Sequence, residues 1–158
     1  MRRRTFLILA GASVIAPPGR TFAVDSTPLD VVTALYRIYA GPKGDYATGN
    51  FSDPHVEVFF TKSLRAAMSA MYARSRKDNE PILDFDPVTD SQEEMVERLS
   101  IARESDSVVA ATFEGGASKH VVRYSFAREN GVWRIDNVSG GVGDAQWDLR
   151  EIIKPGAN

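Results

Sequence analysis

Three aspartates stand close together in LDFDPVTDSQ, the stretch that runs from residue 83 to residue 92. Carboxylates at such a spacing could bind Ca²⁺, or two of them could act as a general acid and a general base. An EF-hand loop needs glycine at its sixth position and glutamate at its twelfth. Counting from Asp84, these positions hold Thr89 and Met95, so the spacing does not predict a calcium loop.

The acid-base interpretation depends on how Asp84 and Asp86 are oriented. In a strand, residues two apart lie on one face, and two neighbouring carboxylates raise a pKa when they are buried. The alternative is a solvated pair, the ordinary state of exposed acids. The alternation predicts that Leu83 and Phe85 face the core while both aspartates face the other way.

The same stretch can also be interpreted as a corner of the scaffold. Asp86-Pro87 is a turn signal, and Asp90 is a suitable residue to cap the element that follows. We therefore expect residues 83–92 to join a helical layer to a sheet, with Phe85 in the core.

Other catalytic patterns have little support in the sequence. His55 and His120 are isolated and lie in no HExxH motif, and no GxSxG motif is present. The run GVGDAQ, residues 141–146, stands between a predicted strand and a helix but lacks the third glycine of a dinucleotide-binding loop. The sequence predicts no metal, no cofactor and no catalytic residue.

The first 23 residues differ in character from the rest of the chain. Three arginines at positions 2–4 precede an apolar run from Phe6 to Ala16, which is too short to span a bilayer. Thr21-Phe22-Ala23 has the small-x-small pattern of a cleavage site. We interpret residues 1–23 as a secretory signal peptide and residues 24–158 as a single domain.

The signal peptide indicates a periplasmic or secreted protein. Arg3-Arg4-Thr5-Phe6-Leu7 partly matches the twin-arginine export signal, and an ordinary Sec signal explains the arginines equally well. Both routes remain open from the sequence. After cleavage no membrane anchor is expected.

Signal cleavage changes the charge of the chain. The signal carries four of the 19 basic residues and no acid, so the mature chain has 15 basic and 21 acidic residues, a net charge of −6. An acidic balance disfavours nucleic acid and anionic lipid as partners. The chain has no cysteine, which excludes thiol catalysis and leaves the fold to be held by its core.

Helices are predicted in the first half of the mature chain. Thr27-Pro28 begins a helix that ends before Gly41-Pro42, and residues 43–52 form a polar loop. Asp53-Pro54 begins a short helical piece, and Thr61 caps a longer helix with an apolar stripe. The stripe consists of Leu64, Ala67, Met68, Met71 and Tyr72.

Strands are predicted in the second half. The stretch EEMVERLSIARES fits a strand or a helix, and strands are expected over 108–113 and 120–128. Asn130-Gly131 predicts a hairpin, and a short helix closes the chain before Pro155-Gly156. This order predicts an α+β fold with N-terminal helices packed on a curved, mainly antiparallel sheet.

Several short motifs resemble those of the domain-of-unknown-function family 3828. They are TALYRIY, FFTKSL, LDFDPVTDSQ, WRIDNV and DLREII, which together cover roughly residues 28–153. The chain departs from the family pattern at Asn137, where relatives often have a second acid. The resemblance implies the cone-shaped fold of the nuclear-transport-factor-2-like superfamily, which contains enzymes, ligand binders and interaction domains, so it implies no single reaction.

The expected function is that of a non-enzymatic domain that binds a small ligand or a periplasmic protein. Five residues are predicted to contact the ligand: Tyr36, Tyr39, Asp86, Trp133 and Asp136. Two alternatives remain open. One is an isomerase or dehydratase of the ketosteroid-isomerase type with a pocket carboxylate. The other is an acidic inhibitor or interaction module for a cell-wall enzyme.

Overall fold

The computed structural model describes residues 26–39, 51, 54–92 and 95–156. The predicted signal peptide and most of the predicted loop at 43–52 lie outside these residues. In the described part of the chain, no helix has the length and apolar character needed to cross a membrane.

The first helix, α1, runs from Pro28 to Tyr39, as the sequence predicts. At its start, the Thr27 hydroxyl accepts a hydrogen bond from the Asp30 amide, and the Asp30 carboxylate accepts one from the Thr27 amide. This reciprocal arrangement satisfies amides that the first turn of a helix leaves unpaired. The helix buries one face, formed by Pro28, Val31, Val32, Leu35, Tyr36 and Tyr39.

Two further helices follow, α2 from Pro54 to Glu57 and α3 from Lys62 to Asp78. The predicted cap of the long helix is confirmed, because the Thr61 hydroxyl accepts a hydrogen bond from the Leu64 amide at 3.1 Å. The apolar stripe of α3 faces the core through Leu64, Met68 and Met71.

A five-stranded antiparallel sheet follows the helices, and its strands stand in chain order. The ambiguous stretch before residue 104 is a strand. The strands are β1 Glu97–Arg103, β2 Val108–Gly115, β3 Ser118–Glu129, β4 Val132–Gly140 and β5 Trp147–Asp148, and a last helix, α4, spans Leu149–Ile153. The predicted α+β class and the antiparallel sheet are confirmed.

The predicted hairpin is confirmed between β3 and β4. Asn130 and Gly131 both have positive φ, 51° and 82°, which is the backbone of the two-residue turn that suits antiparallel strands. Asparagine and glycine adopt positive φ values at a lower energetic cost than other residues.

Two irregularities interrupt the ladders of the sheet. Between β1 and β2 the register shifts near Arg98, which has a φ of 50°. Between β3 and β4 the register passes from the pair Ser125–Asn137 to the pair Phe126–Ile135, so Asp136 falls outside the paired residues. On its other side, Ile135 forms an isolated bridge with Phe60.

The core lies between the helices and one face of the sheet. It contains the buried faces of α1 and α3 and the alternate residues of the strands. The strand residues in the core include Val109, Ala111, Phe113, Val122, Tyr124, Phe126, Ile135 and Val138.

The segment 83–92 is the corner that connects α3 to the sheet, as the sequence predicts. The Asp86 amide donates to the Ser91 carbonyl at 3.0 Å, which closes the turn. Within the turn, Val88 and Thr89 are buried. The turn is therefore anchored in the core, although the residues at its two ends remain accessible.

Candidate functional site

An open groove of about 500 Å³ lies beside the corner at residues 83–92. We call it the Asp86 groove. The described residues that line it come from the corner, from α3 and from the end of the preceding loop. They are Phe51, Tyr72, Leu83, Asp84, Phe85, Asp86, Ser91 and Gln92.

The carboxylate of Asp86 is held in place by three donors. The Tyr39 hydroxyl and the Phe51 amide both donate to Oδ2 at 3.0 Å, and the Val88 amide donates to Oδ1 at 2.8 Å. These donors come from α1, from Phe51 and from the turn itself. The carboxylate therefore ties three separate parts of the chain together at the floor of the groove.

The predicted alternation along 83–86 is wrong at Asp86. Asp84 is exposed, as expected, but Asp86 is half-buried and its carboxylate is bonded to the buried Tyr39. The physical reason is that the turn begins at Asp86. Its carboxylate accepts the Val88 amide two residues on, in the manner of an Asx turn, and so leaves the strand-like alternation.

Burial raises the pKa of the Asp86 carboxyl above its usual range. Desolvation disfavours the charged form and is the largest cause, while the hydrogen bonds from Val88, Tyr39 and Phe51 act in the opposite direction. Because the pKa is raised on folding, the contribution of this carboxyl to stability is fully present below the unfolded pKa. That contribution is lost as pH rises through the folded pKa.

We expect Tyr39→Phe to raise the pKa of Asp86 further, because it removes a donor that favours the charged carboxylate. A pH titration of the side-chain carboxyl ¹³C resonances measures this value. Both proteins are titrated under the same conditions. An unchanged or lower Asp86 midpoint in Tyr39→Phe would show that this hydroxyl does not stabilise the charge.

A second set of hydrogen bonds fixes the turn from the core side. The Tyr124 hydroxyl donates to the Tyr36 hydroxyl at 3.0 Å, and the Tyr36 hydroxyl donates to the Val88 carbonyl at 2.8 Å. A carbonyl only accepts, so Tyr36 must donate to it and receive from Tyr124. Burial raises the pKa of both tyrosines, which keeps them neutral as donors.

Asp90 does not cap a following helix, contrary to the prediction. Its φ is 50°, one carboxylate oxygen accepts the indole N–H of Trp147, and the other lies 3.2 Å from Nδ1 of His120. The element that follows is a strand, which offers no free helix amides to cap. Asp90 instead connects the turn to β3 and β5.

Phe85 lines the groove and is half-buried, so its predicted place in the core is wrong. Its ring packs edge-on against Trp147, with 5.0 Å between the ring centroids. The Trp147 indole lies in β5 and also donates a hydrogen bond to Asp90, so its position is fixed. The contact with Trp147 therefore holds the Phe85 ring in place on one side of the groove.

The structure brings together three of the five predicted ligand-binding residues, Tyr36, Tyr39 and Asp86, and places the other two elsewhere. Trp133 lies under the Arg128 guanidinium, which is 4.4 Å from the ring centroid. Asp136 accepts from the Thr61 hydroxyl at 2.9 Å and pairs with Arg150 at 2.7 Å. Of the five, only Asp86 lines the Asp86 groove. Tyr36 and Tyr39 are buried in the core, and Trp133 and Asp136 lie outside the groove.

Sequence reasoning missed the roles of Phe51 and Tyr72 in the groove. Tyr72 belongs to the apolar stripe of α3, and the helical spacing alone predicts core. Phe51 follows a glycine and an asparagine in a predicted loop, where no periodicity indicates which way a side chain points. Its aromatic character was the only available signal.

Among the residues that the structure describes, no group of three or more histidines or acids is arranged to hold a metal ion. Comparison with known proteins finds no matching family model, no matching curated protein and no matching solved structure. The described residues form an α+β domain with an open groove that is lined by aromatic and acidic residues.

Proposed function

We propose that the chain is an exported, non-enzymatic domain that binds a small ligand in the Asp86 groove. The observation that carries this proposal is the fixed floor of the groove. The protein's own Tyr39, Phe51 and Val88 hold the Asp86 carboxylate in place. A site that is formed in advance loses little conformational entropy on binding.

Binding is better supported than catalysis of the ketosteroid-isomerase type. That alternative has some support, because Asp86 and Tyr39 lie together and burial raises the pKa of the carboxyl. A general base, however, needs a lone pair directed at the substrate proton. In Asp86, Oδ2 accepts two hydrogen bonds and Oδ1 accepts one, so three of the roughly four lone-pair sites of the carboxylate already have donors from the protein.

The proposal includes the nuclear-transport-factor-2-like fold and the resemblance to family 3828. Two motifs that carry the resemblance meet in space, since Tyr39 of TALYRIY bonds to Asp86 of LDFDPVTDSQ. The order of helices before an antiparallel sheet supports the same assignment. Export to the periplasm is proposed from the signal-like composition of residues 1–23.

Native mass spectrometry of the mature protein, purified gently after export, tests ligand binding directly. We expect an additional mass that is lost on denaturation. Gln92→Trp places a large ring at the exposed edge of the groove and should abolish the additional mass. Gln146→Trp is the matched control, because Gln146 is exposed and does not line this groove.

Two results would contradict the proposal. One is a bare protein in every preparation, which would direct the search towards a protein partner. The other is an additional mass that survives in Gln92→Trp, which would place the ligand elsewhere on the chain.

A further inference from the structure

The described lining of the Asp86 groove combines aromatic rings with negative charge. Tyr72 and Phe85 supply half-buried rings, and Asp84 and Asp86 supply the carboxylates. Phe51 also lines the groove but is buried and packs against Phe60. The remaining described lining residues are neutral: Leu83, Ser91 and Gln92. None of the described lining residues is a lysine, arginine or histidine.

This combination favours a particular class of cation. An aromatic face attracts a positive charge through its quadrupole, and the attraction competes best for weakly hydrated organic ammonium groups. An inorganic divalent cation needs several oxygen ligands, and no described cluster of acids and histidines provides them. The carboxylates then add a Coulomb attraction that a neutral ligand would not receive.

The positions of the two acids suit an ammonium ligand that is partly exposed. Asp86 lies at the floor, where its three donors fix its position, and Asp84 is exposed at the rim. Phe85 is held between them by its contact with Trp147. A methylated or alkylated ammonium could therefore place its alkyl groups on the rings and its charge near both carboxylates.

We infer that the ligand of the Asp86 groove is a small organic ammonium compound. This inference rests on the proposed function, since it names the class of ligand that the same groove binds. A volume of about 500 Å³ is within the ordinary range for small-molecule sites.

Isothermal titration calorimetry on the mature protein tests the inference with a matched pair of probes. Choline carries a trimethylammonium group, and 3,3-dimethylbutan-1-ol has the same shape with carbon in place of the charged nitrogen. We expect choline to bind at least about tenfold more tightly, because only choline gains from the rings and carboxylates. Equal binding, or tighter binding of the neutral probe, would overturn the inference.

A pair of variants tests whether choline binds in the Asp86 groove. Asp84→Asn removes one lining charge with little change in shape, and we expect choline affinity to fall by about threefold at low salt. Asp144→Asn makes the same change at an exposed residue of another loop and should leave the affinity unchanged. Equal losses in both variants would show a general charge effect and contradict a site in the groove.

Native mass spectrometry separates failure of the inference from failure of the proposed function. If neither probe binds and the retained mass proves to be a neutral or anionic compound, the ammonium inference is wrong while ligand binding stands. If neither probe binds and every preparation is bare, both are wrong.

Discussion

Replacing Asp86 with alanine is expected to lower the free energy of unfolding by about 3 kcal/mol. The substitution removes the acceptor of the Tyr39 hydroxyl and of the amides of Phe51 and Val88. Donors that lose a buried acceptor are costly, and this cost outweighs the relief of the desolvation penalty of the carboxylate. Urea denaturation followed by circular dichroism measures the change.

Asp84→Ala is the matched control for this prediction. Asp84 is exposed two residues away, so its loss should change the free energy of unfolding by no more than about 0.5 kcal/mol. Asp86→Asn keeps one acceptor oxygen and should lie between the two alanine variants. Similar values for Asp86→Ala and Asp84→Ala would mean that the three hydrogen bonds at Asp86 contribute little.

The second large effect is expected at Tyr36. Tyr36→Phe keeps the ring in the core but removes a hydroxyl that donates to the Val88 carbonyl and accepts from Tyr124. Two buried polar groups then lose their partners, and we expect a loss of about 2 kcal/mol in urea denaturation. The ring contacts with Phe113 and Tyr124 are retained.

Tyr124→Phe tests the contribution of the hydrogen bond from the Tyr124 hydroxyl to the Tyr36 hydroxyl. It removes only the first donor, and the Tyr36 hydroxyl can still donate to Val88. The expected loss is therefore below about 1 kcal/mol, the value for a single hydrogen bond with no orphaned donor. A larger loss for Tyr124→Phe than for Tyr36→Phe would contradict the view that the Tyr36 hydroxyl serves both the Val88 carbonyl and Tyr124.

The secondary structure could be predicted because its signals are local. Thr27 and Thr61 cap helices through amides three residues away, and Asn130-Gly131 sets a turn within the hairpin itself. The sequence of residues 97–103 is ambiguous, because its apolar side chains fit both the helical and the strand period. Only its pairing with β2 in the assembled sheet makes it a strand.

The site could be predicted only in part, because its contacts join distant residues. The interactions of Tyr36 with Val88 and Tyr124 span 52 and 88 residues. Nothing in the local pattern indicates that Asp86 turns inward to meet Tyr39. Asp136 lies outside the Asp86 groove for a similar reason, since the bulge beside it and the position of Arg150 are set by the assembled sheet and α4.

The two ends of the sheet are poor templates for pairing with another chain. At one end, the register shift at Arg98 bends β1, whose residues at the shift are charged and exposed. At the other end, β5 has only two residues. Bulges, charges and short edge strands are the features by which β-sheet proteins resist edge-to-edge aggregation. In the described part of the sheet, the strands at both ends are therefore interrupted or short, and the outer edge of β4 is bridged at Ile135 by Phe60.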